Sequence, residues 1–233
     1  MPEPVPLDYE PVTTPRPLRR LRTFSLICFG GLTLVFLIST QLPSVNYARE
    51  PANRIKCSNN LRQIGLAIFR YCDDNKQQYP NDVGLLIPTQ ELNAEVFVCP
   101  SSSDTKLQGA STQPAALLLS SDHCSYVYVG AGMTSSAGAD QVVAFELPDN
   151  HSKDGGNVLY GDHYVSWEPF ETLVQLVPEL EAGRNPPMIL PLTAKQAKTM
   201  YEQKWVPKLA SIKDGTWAAS LPRPSTRPSG EAK

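Results

Sequence analysis

The sequence has no excess of basic residues. Lysine and arginine together number 21 and aspartate and glutamate 23, which gives a formal net charge of −2. Proteins that bind nucleic acid present a basic patch or stripe to the phosphates, so nucleic acid is not an expected partner. No internal repeat is visible, and hydrophobic residues make up 41% of the chain. This composition predicts one modest packed domain with an extension.

Recognised catalytic motifs are also missing. Ser101-Ser102-Ser103 lacks the glycine-flanked turn that presents an esterase nucleophile. His123 beside Cys124 is the only hint of thiol chemistry. No spacing ties a base to a nucleophile in either place. We therefore expect no enzyme activity, no catalytic residue and no cofactor.

Charge is absent from residues 23–42, which read TFSLICFGGLTLVFLISTQL. As a helix this run is about 30 Å long, which is the hydrocarbon thickness of a bilayer. Backbone amides inside lipid must be paired within their own segment, so a single span has to be helical. The sequence therefore predicts one transmembrane helix at 23–42, with the lipid bilayer as a partner.

The charges that flank this run predict its orientation. Four arginines precede it, namely Arg16, Arg19, Arg20 and Arg22. Beyond it, Glu50 offsets Arg49. The positive-inside rule then places the amino-terminal tail in the cytoplasm and the remainder outside. A cleaved secretory signal is the competing interpretation, but the segment before the apolar run is long and no A-x-A-like site follows Leu42.

After Pro43 the sequence becomes amphipathic. Five residues follow one another at spacings of four, three, four and three and share one helix face: Cys57, Leu61, Ile64, Ile68 and Tyr71. We call this set the packing stripe. Its first interpretation is core packing against a domain outside the membrane, and its second is packing against a partner helix.

Aromatic and β-branched runs bounded by turn residues predict strands after this helix. These runs are 95–98, 125–129, 141–146, 157–160 and 164–167. Gly161-Asp162-His163 separates the last two runs and predicts a hairpin. Residues 170–183 and 193–206 are typical of two short helices separated by Asn185-Pro186-Pro187, and 114–119 of another. The fold class is therefore α+β, with a long helix on a small antiparallel sheet and a helical carboxyl-terminal extension.

The five cysteines allow one favoured pairing. Cys57 and Cys72 lie about 22 Å apart along one helix and cannot bond. Cys28 lies within the apolar run as a small apolar residue. Cys99 and Cys124 border predicted strands, so they form the best candidate disulfide. The alternative is that both are buried free thiols.

The order of several short segments resembles a known family. Residues 46–67, Tyr79-Pro80, 97–101 and 124–130 are followed by a carboxyl-terminal motif at 150–162. This set resembles the type II secretion pseudopilins of the G type and the bacterial prepilin-like proteins with a His…Asp-Gly motif near the carboxyl end. The resemblance implies a pilin-like fold in a protein of the bacterial inner membrane with a periplasmic domain. It also implies a structural role, with other pseudopilin-like subunits or envelope secretion proteins as partners.

Two features depart from that family. Gly31-Leu-Thr-Leu-Val-Phe36 resembles the prepilin cleavage site, but phenylalanine stands where the family has a glutamate. No basic residue immediately precedes Gly31, and a cut there would leave a short apolar segment. We therefore expect no prepilin-peptidase processing. An adaptor on a pilin scaffold that never polymerises is the first alternative function.

A polar cluster near the carboxyl-terminal motif supplies the second alternative. His151, Asp154, Asp162 and His163 carry side chains that could bind zinc in a metal-dependent envelope enzyme. No recognised ligand spacing is present, and the same residues suit a loop that leads into a hairpin turn. We therefore expect no metal.

The predicted organisation has four parts. Residues 1–22 form a disordered, proline-rich cytoplasmic tail, and 23–42 form the transmembrane helix. The pseudopilin-like α+β domain covers 43–169, and the extension covers 170–233, first helical and then disordered.

Overall fold

The computed structural model describes residues 17–105 and 123–222, with side chains at 24–37, 49–105 and 123–222. The chain divides into two compact units, Met1–Ala48 and Arg49–Lys233. The helix predicted at 114–119 and the disorder predicted for 1–16 and 223–233 fall outside the described residues.

One helix, α1, spans Pro17–Asp74. It begins inside the segment predicted as tail, because proline at the first helical position has a φ suited to a helix and lacks an amide that would need a partner. Among the described residues, no helix combines the length and the hydropathy of a membrane span. The predicted span at 23–42 includes residues whose side chains lie outside the described ones.

The packing stripe of α1 faces the core of the second unit. Cys57, Leu61, Ile64 and Ile68 are each at most 1% exposed. Tyr71 packs against the same cluster at its edge. The opposite face of the helix is exposed, as at Leu66 and Phe69.

Four strands form one antiparallel sheet in the order β1-β2-β3-β4. They are β1 (Tyr126–Tyr128), β2 (Val142–Glu146), β3 (Gly155–Tyr160) and β4 (Val165–Pro169). Val127 pairs with Phe145, and Phe145 with Val158. The α+β class, the antiparallel sheet and the hairpin between β3 and β4 are confirmed.

The predicted strand at 95–98 is wrong. Residues Ala94–Phe97 form a 3-10 helix, and a second short helix, α2, spans Leu86–Gln90. The side-chain oxygen of Asn93 accepts a hydrogen bond from the Glu95 amide at 2.9 Å. This cap starts a helical turn where the apolar run alone would suit a strand.

Short helices follow the sheet: α3 (Phe170–Leu173), α4 (Leu176–Glu181), α5 (Ala194–Met200), α6 (Leu209–Lys213) and α7 (Thr216–Ala219). The predicted helix at 170–183 is therefore divided in two. Between α5 and α6 the chain forms a π-helical turn, Tyr201–Trp205. The Asn185 side chain pairs with both main-chain groups of Val142, at 2.7 and 2.9 Å.

The sheet is buried on both faces. Tyr126, Tyr128 and Leu159 point into the cluster that contains the packing stripe. Their neighbours Val127 and Val158 point into a second cluster, formed with the helices after the sheet. Successive residues of a strand point to opposite faces, so one sheet separates the two cores.

Candidate functional site

Four side chains from four separate segments converge at one end of the sheet. Cys57 comes from the packing stripe of α1, and Cys99 follows the 3-10 helix at 94–97. Glu146 is the last residue of β2, and His151 is the last residue of a 3-10 helix that begins at Pro148. We call Cys57, Cys99, Glu146 and His151 the buried cluster.

The atoms of the buried cluster that could bind a metal lie within 4.8 Å of one another. Cys57 and Glu146 are 0% exposed, and Cys99 and His151 are 1% exposed. This burial keeps a substrate away from all four side chains. The arrangement can therefore hold an ion or share protons, but it offers no open surface for a reaction.

His151 is hydrogen-bonded at both ring nitrogens. Its Nδ1 lies 2.6 Å from Glu50 Oε1, and its Nε2 lies 3.3 Å from Glu146 Oε2 and 3.5 Å from Cys99 Sγ. Burial lowers the pKa of His151, but the hydrogen bonds to Cys99 and Glu146 outweigh it and raise this pKa to about 10. His151 is therefore an imidazolium at neutral pH in the metal-free chain.

Glu50 supports His151 from outside the cluster. It accepts a hydrogen bond from Ser101 Oγ at 2.9 Å and pairs with Arg54 at 3.4 Å. Burial raises the pKa of Glu50, but hydrogen bonds from His151 and Ser101 more than offset this and hold it below its ordinary value. Glu50 is thus a carboxylate with a fixed orientation.

Glu146 is satisfied at one oxygen only. Its Oε2 accepts hydrogen bonds from the amide and side chain of Asn157, at 2.7 and 2.9 Å. Its Oε1 is buried and has no hydrogen-bond partner among the described residues. A buried carboxylate oxygen without a partner is unfavourable, so this atom marks the cluster as incomplete by itself.

The two cysteines of the cluster influence each other. The hydrogen bond between their thiols is the largest cause of both pKa shifts, and it raises the pKa of Cys57 and lowers that of Cys99. The contact with His151 lowers the pKa of Cys99 further. Cys99 is therefore the more acidic thiol of the pair.

The structure does not contain the predicted Cys99–Cys124 disulfide, and both residues are free thiols. Cys99 faces His151, whereas Cys124 Sγ donates a hydrogen bond to the Tyr126 carbonyl at 3.2 Å. The two sulfur atoms thus have different partners, and Cys99 follows a helical turn instead of the predicted strand.

A second group of residues covers His151 from the solvent side. The Trp167 ring meets the His151 ring edge-on, with centroids 5.3 Å apart. The Arg54 guanidinium lies 4.3 Å above the Trp167 ring and pairs with Asp154 at 2.5 Å. This layer shields the buried cluster from water.

The polar cluster predicted from the sequence does not come together. Asp154 pairs with Arg54, and Asp162 Oδ1 accepts a hydrogen bond from the Tyr164 amide at 3.0 Å. His163 lies against the Phe69 ring, with centroids 5.5 Å apart. Only His151 belongs to the buried cluster. The metal-dependent enzyme based on His151 and His163 therefore loses its geometric basis.

Sequence reasoning missed any site role for Glu50 and Glu146, and it missed the metal-binding potential of Cys57 and Cys99. It assigned Cys57 to packing against the core or a partner helix, and Cys99 to a candidate disulfide. Glu146 offered a usable signal, because a carboxylate that directly follows the apolar run 142–145 is unusual in a buried strand.

Comparison with known proteins adds one match. Residues 46–85 match a family model described as a protein of unknown function, DUF1559. The chain is similar there to prepilin-like proteins in general. The matched segment contains the whole packing stripe, including Cys57, and it does not single out the G-type pseudopilins. No curated protein and no solved structure matches the chain.

Proposed function

We propose that this chain is a membrane-anchored, pilin-like structural or assembly protein of the bacterial envelope and that it acts without catalysis. The observation that carries the proposal is the packing of the α1 stripe on an antiparallel sheet, in the same segment that matches the prepilin-like family. The domain lies in the periplasm and the amino terminus in the cytoplasm. Its partners are other pseudopilin-like subunits or envelope secretion proteins.

The apolar residues of the first unit support the anchor. Phe24, Leu26, Ile27 and Phe29 are each more than 70% exposed. Contiguous exposed apolar surface on a helix needs a covering, and lipid is the covering that an uncharged run of this length fits. The burial of the cluster supports a role without catalysis, because a substrate cannot reach it.

Fractionation of cells tests the anchor. The chain should stay with the inner membrane after an alkaline carbonate wash, and a variant that lacks residues 23–42 should move to the soluble fraction. External protease should digest the domain in spheroplasts and leave the amino-terminal tail protected. An intact chain that is washed off the membrane contradicts the proposal.

Phe36 favours a second candidate function, the adaptor that does not polymerise. The family's glutamate at this position is the usual partner of a neighbouring subunit's amino terminus, and phenylalanine cannot replace that ion pair. Cross-linking of native membranes separates the two candidates. A ladder of multiples of the chain supports a filament subunit, and one discrete heteromeric band supports the adaptor.

A further inference from the structure

We propose that Cys57, Cys99, Glu146 and His151 together bind one zinc ion that fastens α1 to the sheet. Two sulfur ligands, one imidazole nitrogen and one carboxylate oxygen form a ligand set that suits zinc in tetrahedral geometry. Three stretches of the chain supply them, at Cys57, at Cys99 and from Glu146 to His151, and these stretches meet only in the folded chain. The ion would join these segments at one point.

The distances in the cluster are close to those of a zinc site. Ligand atoms around a tetrahedral zinc lie about 3.3 to 3.8 Å apart. In the buried cluster every separation is at most 4.8 Å, and Nε2 of His151 lies 3.5 Å from Cys99 Sγ. Side-chain movements of about 1 Å would bring the ligand atoms to the distances of a zinc site.

The groups around the ligands point to a metal independently of those distances. Glu50 accepts the Nδ1 hydrogen of His151, so Nε2, which faces Cys99 and Glu146, is the nitrogen that would bind the ion after it loses its proton. Asn157 holds one oxygen of Glu146, while Oε1 of Glu146 is buried and lacks a partner among the described residues. A zinc ion bound to this carboxylate would supply the further partner that Glu146 lacks in the metal-free cluster.

Charge also favours a cation in this place. When zinc binds, the two thiols and the imidazolium release their protons to solvent, and the ligand set becomes two thiolates, a carboxylate and a neutral imidazole. The dipositive ion then neutralises two of the three negative charges. Arg54 lies just outside, where it pairs with the carboxylates of Glu50 and Asp154.

The site is structural in character. Four protein ligands fill the tetrahedron, so no position remains for a water molecule that could act on a substrate. A disulfide between Cys57 and Cys99 is the competing fate of the same two thiols in an oxidising compartment. Oxidation would remove both sulfur ligands, so the two states exclude each other.

Titration of the full chain with Co²⁺ tests the proposal. Purified, reduced and metal-free chain should bind one equivalent, with the thiolate-to-cobalt charge transfer and the visible bands of a tetrahedral sulfur site. Zn²⁺ should displace the cobalt. Cys57→Ser, Cys99→Ser and His151→Gln should abolish this spectrum, whereas Cys28→Ser and Cys124→Ser are matched controls that should retain it. Glu50→Gln should weaken binding about 10- to 100-fold.

A measurement on the unaltered chain avoids variants that fail to fold. Chain isolated from native membranes should contain one zinc by elemental analysis, and a chelator should lower its thermal midpoint. A Cys57–Cys99 disulfide in that material, or cobalt binding without sulfur charge transfer, overturns the proposal. Equal binding by the Cys57→Ser and Cys124→Ser chains overturns it as well.

Discussion

The His151 imidazole lies between two carboxylates, with Glu50 at one ring nitrogen and Glu146 at the other. Glu146 is 0% exposed, and His151 is its cationic partner when no metal is bound. Removing one partner of a buried ion pair leaves an uncompensated charge, whereas removing both is far less unfavourable. The pair therefore suits a double-mutant test.

We predict that His151→Gln lowers the free energy of unfolding of the metal-free chain by about 3 to 5 kcal/mol. The added change Glu146→Gln should recover part of this loss, because no buried charge then remains. Urea unfolding of the four chains of the cycle in chelator measures both values. His163→Gln is the matched control and should cost about 1 kcal/mol or less. Additive effects of the two changes would contradict the coupling.

The raised pKa of His151 predicts that the stability of the metal-free chain depends on pH. A folded pKa of about 10 against an ordinary 6.5 gives stability that is fully present below pH 6.5 and is lost as the pH rises toward 10. Cys99 has a lowered pKa and acts in the opposite direction. A Cys99→Ser chain isolates the histidine, because Glu146 and Glu50 still raise its pKa.

In metal-free Cys99→Ser chain, the free energy of unfolding should fall as the pH rises above about 6.5, by at most about 1.4 kcal/mol per pH unit. Adding His151→Gln should remove this slope. Urea unfolding at several pH values measures both chains. The same slope in both chains would show that another group is responsible.

At the scale of the secondary-structure elements, the start of β3 depends on one glycine. Gly155 has φ +150 and pairs with Pro169 of β4. A Cβ atom at this position would lie 2.2 Å from the carbonyl oxygen of Glu168. That oxygen belongs to the backbone of the neighbouring strand, so it cannot move without disrupting the pairing.

We therefore predict that Gly155→Ala destabilises the chain by about 3 kcal/mol, through strain and loss of pairing between β3 and β4. Gly138→Ala is the control, because the nearest atoms to its Cβ would belong to side chains, Asp140 at 3.0 Å and Gln141 at 3.7 Å. This control should change stability by about 0.5 kcal/mol or less. Thermal unfolding compares the two, and equal midpoints would contradict the strain argument.

Periodicity in the sequence predicts most of the helices and strands, but it does not predict where the side chains of the buried cluster meet. The packing stripe and the hairpin at 161–163 follow from local spacing, and both occur in the structure. The buried cluster combines Cys57, Cys99, Glu146 and His151, which no local pattern connects. Their convergence depends on how α1 docks and on the register of β2, and neither is visible in a single sequence. The strand predicted at 95–98 is wrong because the side chain of Asn93 caps a helical turn there.

At the scale of the whole second unit, the carboxyl-terminal helices form part of the core. Trp205 is 0% exposed, and its indole nitrogen donates a hydrogen bond to the Val174 carbonyl at 2.9 Å. Its ring meets Phe145 of β2 edge-on, with centroids 5.9 Å apart. The segment predicted as an extension thus packs against one face of the sheet.

We predict that a chain ending at residue 169 cannot keep a soluble, ordered domain. Such a chain lacks α3 to α7 and would expose Val127, Phe145 and Val158, which are at most 4% exposed in the complete unit. Exposed apolar surface of this kind binds hydrophobic dyes and drives aggregation. The control is a chain ending at residue 222, which keeps every core residue named here. Dye binding and size-exclusion chromatography in detergent compare the two, and an equally monodisperse shorter chain would mean that α1 and the sheet fold without their second core.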